Sequence, residues 1–315
     1  MESTPLTITR MRDEVLQGLN DSYKTIPCKY LYDEKGSELF DQICELEEYY
    51  PTRTELKIME DHIDEILSFV PKNSLLIELG SGSSLKTRLL LDNHPKLAGY
   101  VPVDISEEFL LDTVEQLRTR YPEIPILPMV ADYTHPFEIT DLDLPHDHVV
   151  VYFPGSTIGN FLPSRAETFL RQINSICENE GGLLIGVDLK KDPEVLEKAY
   201  NDSKGITAAF NKNILVRINR ELEADFNIDH FRHEAVYNRA LGRVEMHLIS
   251  SEDQQVHISD EIIHFDKGES IHTENSYKYE SHGFSEMARN AGFETQKVWT
   301  DKNGYFGILY LSTID

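Results

Sequence analysis

The sequence predicts an α/β fold in which a largely parallel β-sheet carries helices on both faces. Between residues 74 and 188, short apolar runs alternate with amphipathic segments, and this alternation is typical of strands joined by crossover helices. The first apolar run leads through a glycine-rich turn into a helix, as at the ligand-binding edge of such a sheet. After residue 188 the pattern changes to helices followed by alternating strands. We therefore expect a region of different architecture inserted into the α/β domain.

Three helices are predicted before the first strand. Residues 6–19 and 37–47 are amphipathic, with apolar side chains recurring at helical spacing. The third helix begins at Pro51 and continues to Phe69, since proline is well tolerated in a first turn.

The alternating region accounts for the parallel sheet. Pro163 stands at the start of its last helix and Gly181 follows the end, which are the usual positions of these two residue types. The predicted strands are 74–79, 100–104, 124–130, 148–153 and 182–188, and the predicted helices are 84–92, 106–120 and 163–179.

The remaining chain predicts the inserted region and the end of the sheet. The turn Asp301-Lys302-Asn303-Gly304 contains an Asn-Gly pair, which favours a hairpin between the last two strands. The predicted elements are helices 194–201, 207–222 and 284–291, antiparallel strands within 229–275, and strands 294–300 and 305–312.

The composition argues against several classes of partner. The 315 residues include 30 basic and 55 acidic side chains, a net charge of −25, which repels nucleic acids and anionic membranes. No apolar stretch reaches membrane-spanning length, and residues 1–4 begin no signal peptide. Cys28, Cys44 and Cys177 form neither a disulfide framework nor a metal-binding spacing. We expect a cytoplasmic monomer without metal, nucleic-acid or membrane partners.

The segment from Glu78 to Thr87, at the end of the first predicted strand, distinguishes between three ligand classes. Gly80 and Gly82 let the backbone approach a ligand where a Cβ would clash. A phosphate-binding P-loop and a dinucleotide fingerprint would both need glycine where Leu85 stands. The P-loop pattern misses at that position alone.

S-adenosylmethionine (SAM) is the third ligand class, and it carries no phosphate. Its ribose needs an acidic residue at the end of the next strand, and Asp104 stands there, 24 residues after Gly80. The third predicted strand is followed by Asp132 and Tyr133, which suit an adenine ring and its amino group. Two acidic strand ends after a glycine turn favour SAM as the cofactor.

A second candidate loop, Phe153 to Asn160, follows the fourth predicted strand. Ligands lie outside the carboxyl ends of the strands in open α/β sheets, so this loop is expected to face the methyl group and the substrate. The simpler interpretation is a turn in which Asn160 caps the following helix.

Five segments together carry a resemblance to a known family; they are residues 30–41, 48–53, 78–87, 155–160 and 205–211. They resemble the histidine Nα-methyltransferases of ergothioneine biosynthesis, SAM-dependent enzymes that trimethylate the α-amine of L-histidine to hercynine. The resemblance implies a Rossmann-like SAM methyltransferase sheet with a C-terminal antiparallel hairpin, plus a second α+β substrate-binding domain formed by the N-terminal helices and the insertion. The expected domains are 55–190 with 279–315 for SAM and 8–54 with 191–278 for the substrate.

The resemblance also implies cofactor-binding residues. They are Tyr49, Gly80 and Lys86 for the methionine part of SAM, Gly82 in the same turn, Asp104 for the ribose, and Asp132 with Tyr133 for the adenine. Lys86 matches a position near the SAM carboxylate. Tyr133 stands where the family has a phenylalanine, a replacement that should preserve stacking.

The substrate residues that it implies are Asn160 and Tyr200 for the histidine carboxylate, Tyr32, Phe40 and Gly155 around the amine, and Met246, Glu274 and Ser276 around the imidazole. Tyr32, Asn160 and Gly155 are expected to act in catalysis. A carboxylate and a hydroxyl two residues apart on one strand face can meet both imidazole nitrogens, as Glu274 and Ser276 would. Without the resemblance, Glu274 would more simply be a solvated charge at a strand edge.

The expected reaction is attack of the neutral α-amine on the SAM methyl group, in which the N–CH3 bond forms as the S–CH3 bond breaks and S-adenosylhomocysteine leaves. A base or a water held by Tyr32 accepts the proton of the amine. One alternative is a SAM-dependent N-methyltransferase of another amino acid, such as tryptophan. Another is a non-catalytic SAM-binding partner protein. A P-loop phosphotransferase fails at Leu85 and lacks a metal-binding Asp at the end of strand 149–153.

Overall fold

The computed structural model describes residues 8–82, 85–94, 96–135, 144–177 and 181–314 of the chain. Its helices are α1 Ile8–Asn20, α2 Glu34–Cys44, α3 Tyr50–Ser68, α4 Leu85–Asn93, α5 Glu107–Arg120, α6 Pro163–Cys177, α7 Pro193–Tyr200, α8 Ile206–Leu222 and α9 Ser281–Asn290. Its strands are β1 Ser74–Leu79, β2 Gly99–Asp104, β3 Met129–Val130, β4 His148–Phe153, β5 Gly182–Asp188, β6 Phe231–Asn238, β7 Arg243–Ser250, β8 Gln254–Ile258, β9 Glu261–Phe265, β10 Ser270–Tyr277, β11 Phe293–Thr300 and β12 Phe306–Thr313.

The chain divides into two compact units. The first comprises residues 51–191 and 277–315, and the second comprises residues 6–50 and 192–276, apart from the residues outside the described ranges. The assignment of the cofactor to one unit and of the substrate to the other stays a prediction.

The first unit contains a seven-stranded sheet in the order β11-β12-β5-β4-β1-β2-β3. Each pair of neighbouring strands among β1 to β5 is parallel, whereas β12 is antiparallel to both β5 and β11. Every residue of β1 and β5 is buried, as expected when both faces of a parallel sheet are covered. The predicted α/β sheet with a terminal antiparallel hairpin is therefore confirmed.

The strand order reverses at β1, which pairs with β2 on one side and with β4 on the other. Ligands of open α/β sheets bind outside the carboxyl ends of the strands at such a reversal. The glycine turn at Gly80 follows β1, and the loop at Gly155 follows β4. Both candidate loops thus leave the sheet at the same edge.

The predicted strand 124–130 is wrong for most of its length, because only Met129–Val130 forms a strand. Ile126 makes an isolated parallel bridge with Tyr100. Pro125 and Pro128 interrupt the segment, and a proline has no N–H to donate to a sheet. The segment is apolar, as the sequence shows, but the two missing N–H donors prevent a continuous strand.

The second unit has α+β architecture. It contains a three-stranded sheet in the order β10-β7-β6 and a two-stranded β8-β9 sheet. Helix α8 packs against α2 and β6, and it buries Phe210, Ile214 and Ile218. The Asp33 carboxylate accepts the N–H of Gly36 at 2.8 Å, so α2 begins at Glu34 rather than at the predicted residue 37.

None of the helices in the described part of the chain combines the length and the apolar content that a bilayer crossing requires. Within the same ranges, no group of three or more His, Cys, Asp or Glu side chains is arranged to hold a metal ion.

Candidate active site

The turn after β1 is shaped by two glycines in the left-handed region. Gly80 has φ +73° and Gly82 has φ +46°, where residues with a Cβ are strained. The N–H of Gly80 donates to the carbonyl of Val103 at 2.8 Å. A Cβ on Gly80 would lie 3.2 Å from the Tyr133 hydroxyl, whereas a Cβ on Gly82 would meet nothing within 4 Å. The structure thus brings Gly80 and Tyr133 together and leaves the turn open at Gly82.

Asp104 connects this turn to the end of β2. Its carboxylate accepts the N–H of Gly82 at 3.2 Å and the N–H of Ser106 at 3.0 Å. Burial raises the pKa of Asp104, against these hydrogen bonds. Burial also raises the pKa of Glu78, in β1, to about 8, and the Tyr100 hydroxyl donates to that carboxyl.

Asp132 and Tyr133 follow β3, as predicted from the third apolar run. The Asp132 carboxylate accepts the N–H of Thr134 at 3.0 Å and lies 3.0 Å from Nδ1 of His135. The Tyr133 ring packs edge-on against Phe153, with ring centroids 5.7 Å apart. Asp132 is therefore held by its own turn, and Tyr133 packs on the core of the first unit.

The loop after β4 has two consecutive residues in the left-handed region, Gly155 at φ +76° and Ser156 at φ +58°. Such a conformation costs a non-glycine residue about 1 kcal/mol or more. The Ser156 hydroxyl accepts the N–H of Asp188 at 2.8 Å, which holds it in place. A short 3-10 helix, Thr157–Asn160, follows. Because α6 begins only at Pro163, Asn160 is not the cap of that helix, and the simpler interpretation of this loop is wrong.

Asp188 at the end of β5 anchors the same loop and was not predicted as a site residue. Its side chain is 1% exposed and forms ion pairs with Lys278, at 2.7 Å, and with Lys191. Burial opposes ionisation of Asp188, but the two ammonium groups outweigh it and lower its pKa. The Asp188 side chain is therefore ionised at neutral pH, while its backbone N–H binds Ser156.

Glu55, in α3, is a second site-proximal residue that the sequence analysis missed. Its side chain is 0% exposed and forms an ion pair with Lys86, whose side chain is 15% exposed. Both carboxylate oxygens of Glu55 accept the N–H of Gly155, at 3.1 and 3.0 Å. Glu55 thus links two predicted site residues. The available signal was its position three residues before Ile58 and four before Met59, on the apolar side of the helix.

In the second unit, four predicted site residues join one aromatic cluster. Its members are Tyr32, Phe40, Tyr49, Tyr200 and Phe210, with contacting ring centroids 5.4 to 6.1 Å apart. Phe210 was not predicted as a site residue, although it lies in the matched segment 205–211. Tyr49, which was predicted to contact SAM, is therefore placed among residues predicted to bind the substrate.

Tyr200 and Ser276 are joined by a hydrogen bond in which the Tyr200 hydroxyl donates to Oγ of Ser276 at 2.7 Å. Both residues are buried. Nε2 of His233 lies 2.9 Å from the carbonyl oxygen of Tyr200. The pairing of Tyr200 with Asn160, which the resemblance implies, joins residues of different units and stays a prediction.

Glu274 is buried, at 8% exposure, so the interpretation as a solvated strand-edge charge is wrong. Glu274 and Ser276 are two residues apart in β10, so both side chains lie on one face of the strand. Met246 is buried in the neighbouring strand β7, and its carbonyl accepts the hydroxyl of Thr273 at 3.1 Å. Burial raises the pKa of Tyr49, and charges on Tyr200, Cys44, Tyr32 and Glu274 raise it further. Glu274 is thus electrostatically linked to the aromatic cluster.

Comparisons with known proteins identify the family of the chain. Residues 11–313 match the family described as "Histidine-specific methyltransferase, SAM-dependent". Histidine N-alpha-methyltransferase of Mycobacterium tuberculosis is 39% identical over 303 residues, covering 95% of this chain and 93% of that protein. The protein of the same name from Mycolicibacterium smegmatis is 39% identical over 304 residues, with the same coverage of 95% and 93%.

A solved S-adenosylmethionine-dependent methyltransferase from Clostridium acetobutylicum has the same fold. It superposes with a TM-score of 0.52 and 10% identity, covering 89% of this chain and 98% of that one. At this identity the match shows the fold alone. The family match sets aside the P-loop phosphotransferase and confirms SAM as the cofactor. The chain belongs to the family of SAM-dependent, histidine-specific methyltransferases.

Proposed function

We propose that the protein transfers three methyl groups from SAM to the α-amine of L-histidine, giving hercynine in the first step of ergothioneine biosynthesis. The observation that carries the proposal is the buried Glu274 beside Ser276 on one face of β10. An imidazole N–H can donate to this carboxylate in a charge-assisted hydrogen bond, which is among the stronger hydrogen bonds in proteins. A substrate that lacks such a donor forgoes this hydrogen bond and is disfavoured.

The first unit fits SAM at the edge of its sheet. Gly80 and Gly82 lie in the left-handed region, which favours glycine, and the Asp104 carboxylate, with about four acceptor positions, accepts the N–H groups of Gly82 and Ser106. We assign the ribose to Asp104, the adenine to Asp132 and Tyr133, and the SAM carboxylate to Lys86. When bound, SAM supplies an electrophilic methyl group on a sulfonium.

The second unit supplies the environment of the amine. Methylation converts the α-amine into a permanently charged trimethylammonium group, and aromatic faces stabilise such cations. Tyr32, Phe40 and Phe210 lie in one cluster that can serve this purpose. We assign the substrate carboxylate to Tyr200 and Asn160. We also assign Gly155, which has no side chain, to the surroundings of a nitrogen that grows with each transfer.

Each transfer needs a neutral amine, so a proton has to leave the nitrogen before each attack. A tyrosine hydroxyl is protonated at neutral pH and is therefore a poor proton acceptor. We therefore assign the Tyr32 hydroxyl the role of holding a water that accepts the proton. The cytoplasmic location and the monomeric state predicted above stay part of the proposal.

The proposal is tested by incubating the protein with SAM and L-histidine and identifying the products by mass spectrometry and NMR. The expected products are mono-, di- and trimethylated histidine, all on the α-nitrogen. Authentic Nα,Nα-dimethylhistidine should also be converted to hercynine. Methylation of a ring nitrogen, or binding of SAM without turnover, would contradict the proposal, and the latter would favour the non-catalytic partner protein.

A further inference from the structure

Glu55 is a fully buried carboxylate with three polar contacts. It lies in α3 with 0% side-chain exposure and forms an ion pair with Lys86. Its two oxygens accept the N–H of Gly155 at 3.1 and 3.0 Å. The contacts connect three separate parts of the first unit: α3, the start of α4 and the loop after β4.

The surrounding backbone is shaped around this carboxylate. Gly186 lies in β5, where a Cβ would come within 2.3 Å of Oε1 of Glu55. A side chain at that position would displace the carboxylate from its contacts. The absence of a side chain at Gly186 is thus what lets Glu55 reach Gly155.

Stability alone is a poor explanation for such a group. Burying a carboxylate and an ammonium costs about as much as their attraction returns, and well-packed apolar residues often do as well. The residues that Glu55 contacts offer a better explanation. Lys86 is assigned to the SAM carboxylate and Gly155 to the loop beside the amine, so Glu55 contacts both ends of the reacting pair.

We propose that Glu55 is a positioning residue for methyl transfer: it orients the Lys86 ammonium toward the SAM carboxylate and fixes the backbone of Gly155 relative to it. This inference rests on the proposed roles of Lys86 and Gly155. Glu55 itself is assigned no contact with SAM or with histidine. A displacement of about 1 Å at a reacting centre can lower a rate by about a hundredfold, so a residue that sets this geometry has a measurable effect.

The test uses Glu55→Gln, which keeps the shape and one acceptor oxygen but removes the charge that orients Lys86. We expect the affinity for S-adenosylhomocysteine, measured by calorimetry, to fall by about tenfold or more, the effect of losing one hydrogen bond to a charged group. The affinity for 5′-methylthioadenosine, which lacks the amino acid carboxylate, should change little. Lys86→Met should show the same discrimination between the two ligands.

The rate provides a second readout. In Glu55→Gln, kcat should fall by about ten- to a hundredfold, while the KM for histidine changes by less than about threefold. Because Glu55 acts through Lys86, the double variant with Lys86→Met should lose less ligand affinity than the product of the two single losses. Glu65→Gln is the matched control. Glu65 lies in α3 beyond the kink at His62, and its partly exposed carboxylate pairs with Lys297. This variant should leave all these values unchanged.

Several results would overturn the inference. Equal losses for both adenosine ligands, or unchanged binding of S-adenosylhomocysteine, would show that Glu55 does not act on the carboxylate end. Purely multiplicative effects in the double variant would show that it does not act through Lys86. If Glu55→Gln does not fold, Glu55→Asp, which keeps the charge, replaces it. In that variant, an affinity for S-adenosylhomocysteine lowered no more than the affinity for 5′-methylthioadenosine would likewise show that Glu55 does not act on the carboxylate end. Because the binding readouts need no histidine turnover, they hold even if wild-type protein fails to methylate histidine.

Discussion

Replacing Glu274 by glutamine should weaken histidine binding far more than cofactor binding. The carboxylate is 8% exposed in β10, so water cannot compensate for a lost partner. Glutamine keeps the size of the side chain and removes its charge. The perturbation therefore isolates the charge-assisted hydrogen bond to the imidazole from packing effects.

The magnitude follows from the burial of this carboxylate. A hydrogen bond to a charged group contributes about 1.5 to 3 kcal/mol. At about 1.4 kcal/mol per tenfold change in affinity, the Kd for histidine should rise by about ten- to a hundredfold. The Kd for S-adenosylhomocysteine should change by less than about threefold, since apart from Tyr49 the residues assigned to the cofactor belong to the first unit.

Isothermal titration calorimetry with each ligand measures both values. Glu245→Gln is the matched control, because Glu245 is 7% exposed in the adjacent strand β7 and is paired with Arg243 rather than assigned to the substrate. It should lower stability but leave the histidine Kd unchanged. Equal losses for the two ligands in Glu274→Gln, or an unchanged histidine Kd, would refute the assignment of the imidazole to Glu274.

Three further predictions concern the cofactor, the substrate carboxylate and the pH dependence of stability. Asp104→Ala should lower the affinity for S-adenosylhomocysteine at least about tenfold by calorimetry, and unchanged affinity would contradict the ribose assignment. Tyr200→Phe removes the donor to Ser276. It should lower the free energy of unfolding by about 1 kcal/mol and raise the KM for histidine. An unchanged KM would contradict the assignment of Tyr200 to the substrate. Burial, reinforced by His247, lowers the pKa of His272 from 6.5 to about 4. The unfolded chain therefore takes up a proton below pH 6.5 that the folded chain does not, and urea unfolding should show up to about 3 kcal/mol lost between pH 6.5 and 4. His272→Gln should flatten this decline, and an equal slope in the variant would assign it to other groups.

The parallel sheet could be predicted from the sequence because its strands are buried on both faces. β1 and β5 have the predicted bounds, residues 74–79 and 182–188, since a continuous apolar run is the direct signature of such a strand. For residues 124–130 the predicted strand is wrong, because the apolar pattern does not reveal the missing N–H groups of Pro125 and Pro128.

The candidate site was predictable where its residues lie in local motifs. Gly80 follows β1 and Asp104 is the last residue of β2, and the Asp104 carboxylate accepts the N–H of Gly82 in the same turn as Gly80. Glu55 could not be predicted in this way, because its partners Lys86 and Gly155 are 31 and 100 residues away. For Glu274 the misleading factor was composition: in a chain with 55 acidic residues, one more acid in a strand gives no sign of its burial.

The central claim is that this site selects the α-amine of histidine, and a competition experiment tests it most directly. Wild-type protein is incubated with SAM and an equimolar mixture of the twenty amino acids, and the methylated products are identified by mass spectrometry. We predict trimethylated histidine, with its mono- and dimethyl intermediates, as the dominant product. Methylation of tryptophan or of another amino acid in its place would contradict the assignment of Glu274 and Ser276, while leaving the fold and the SAM site intact.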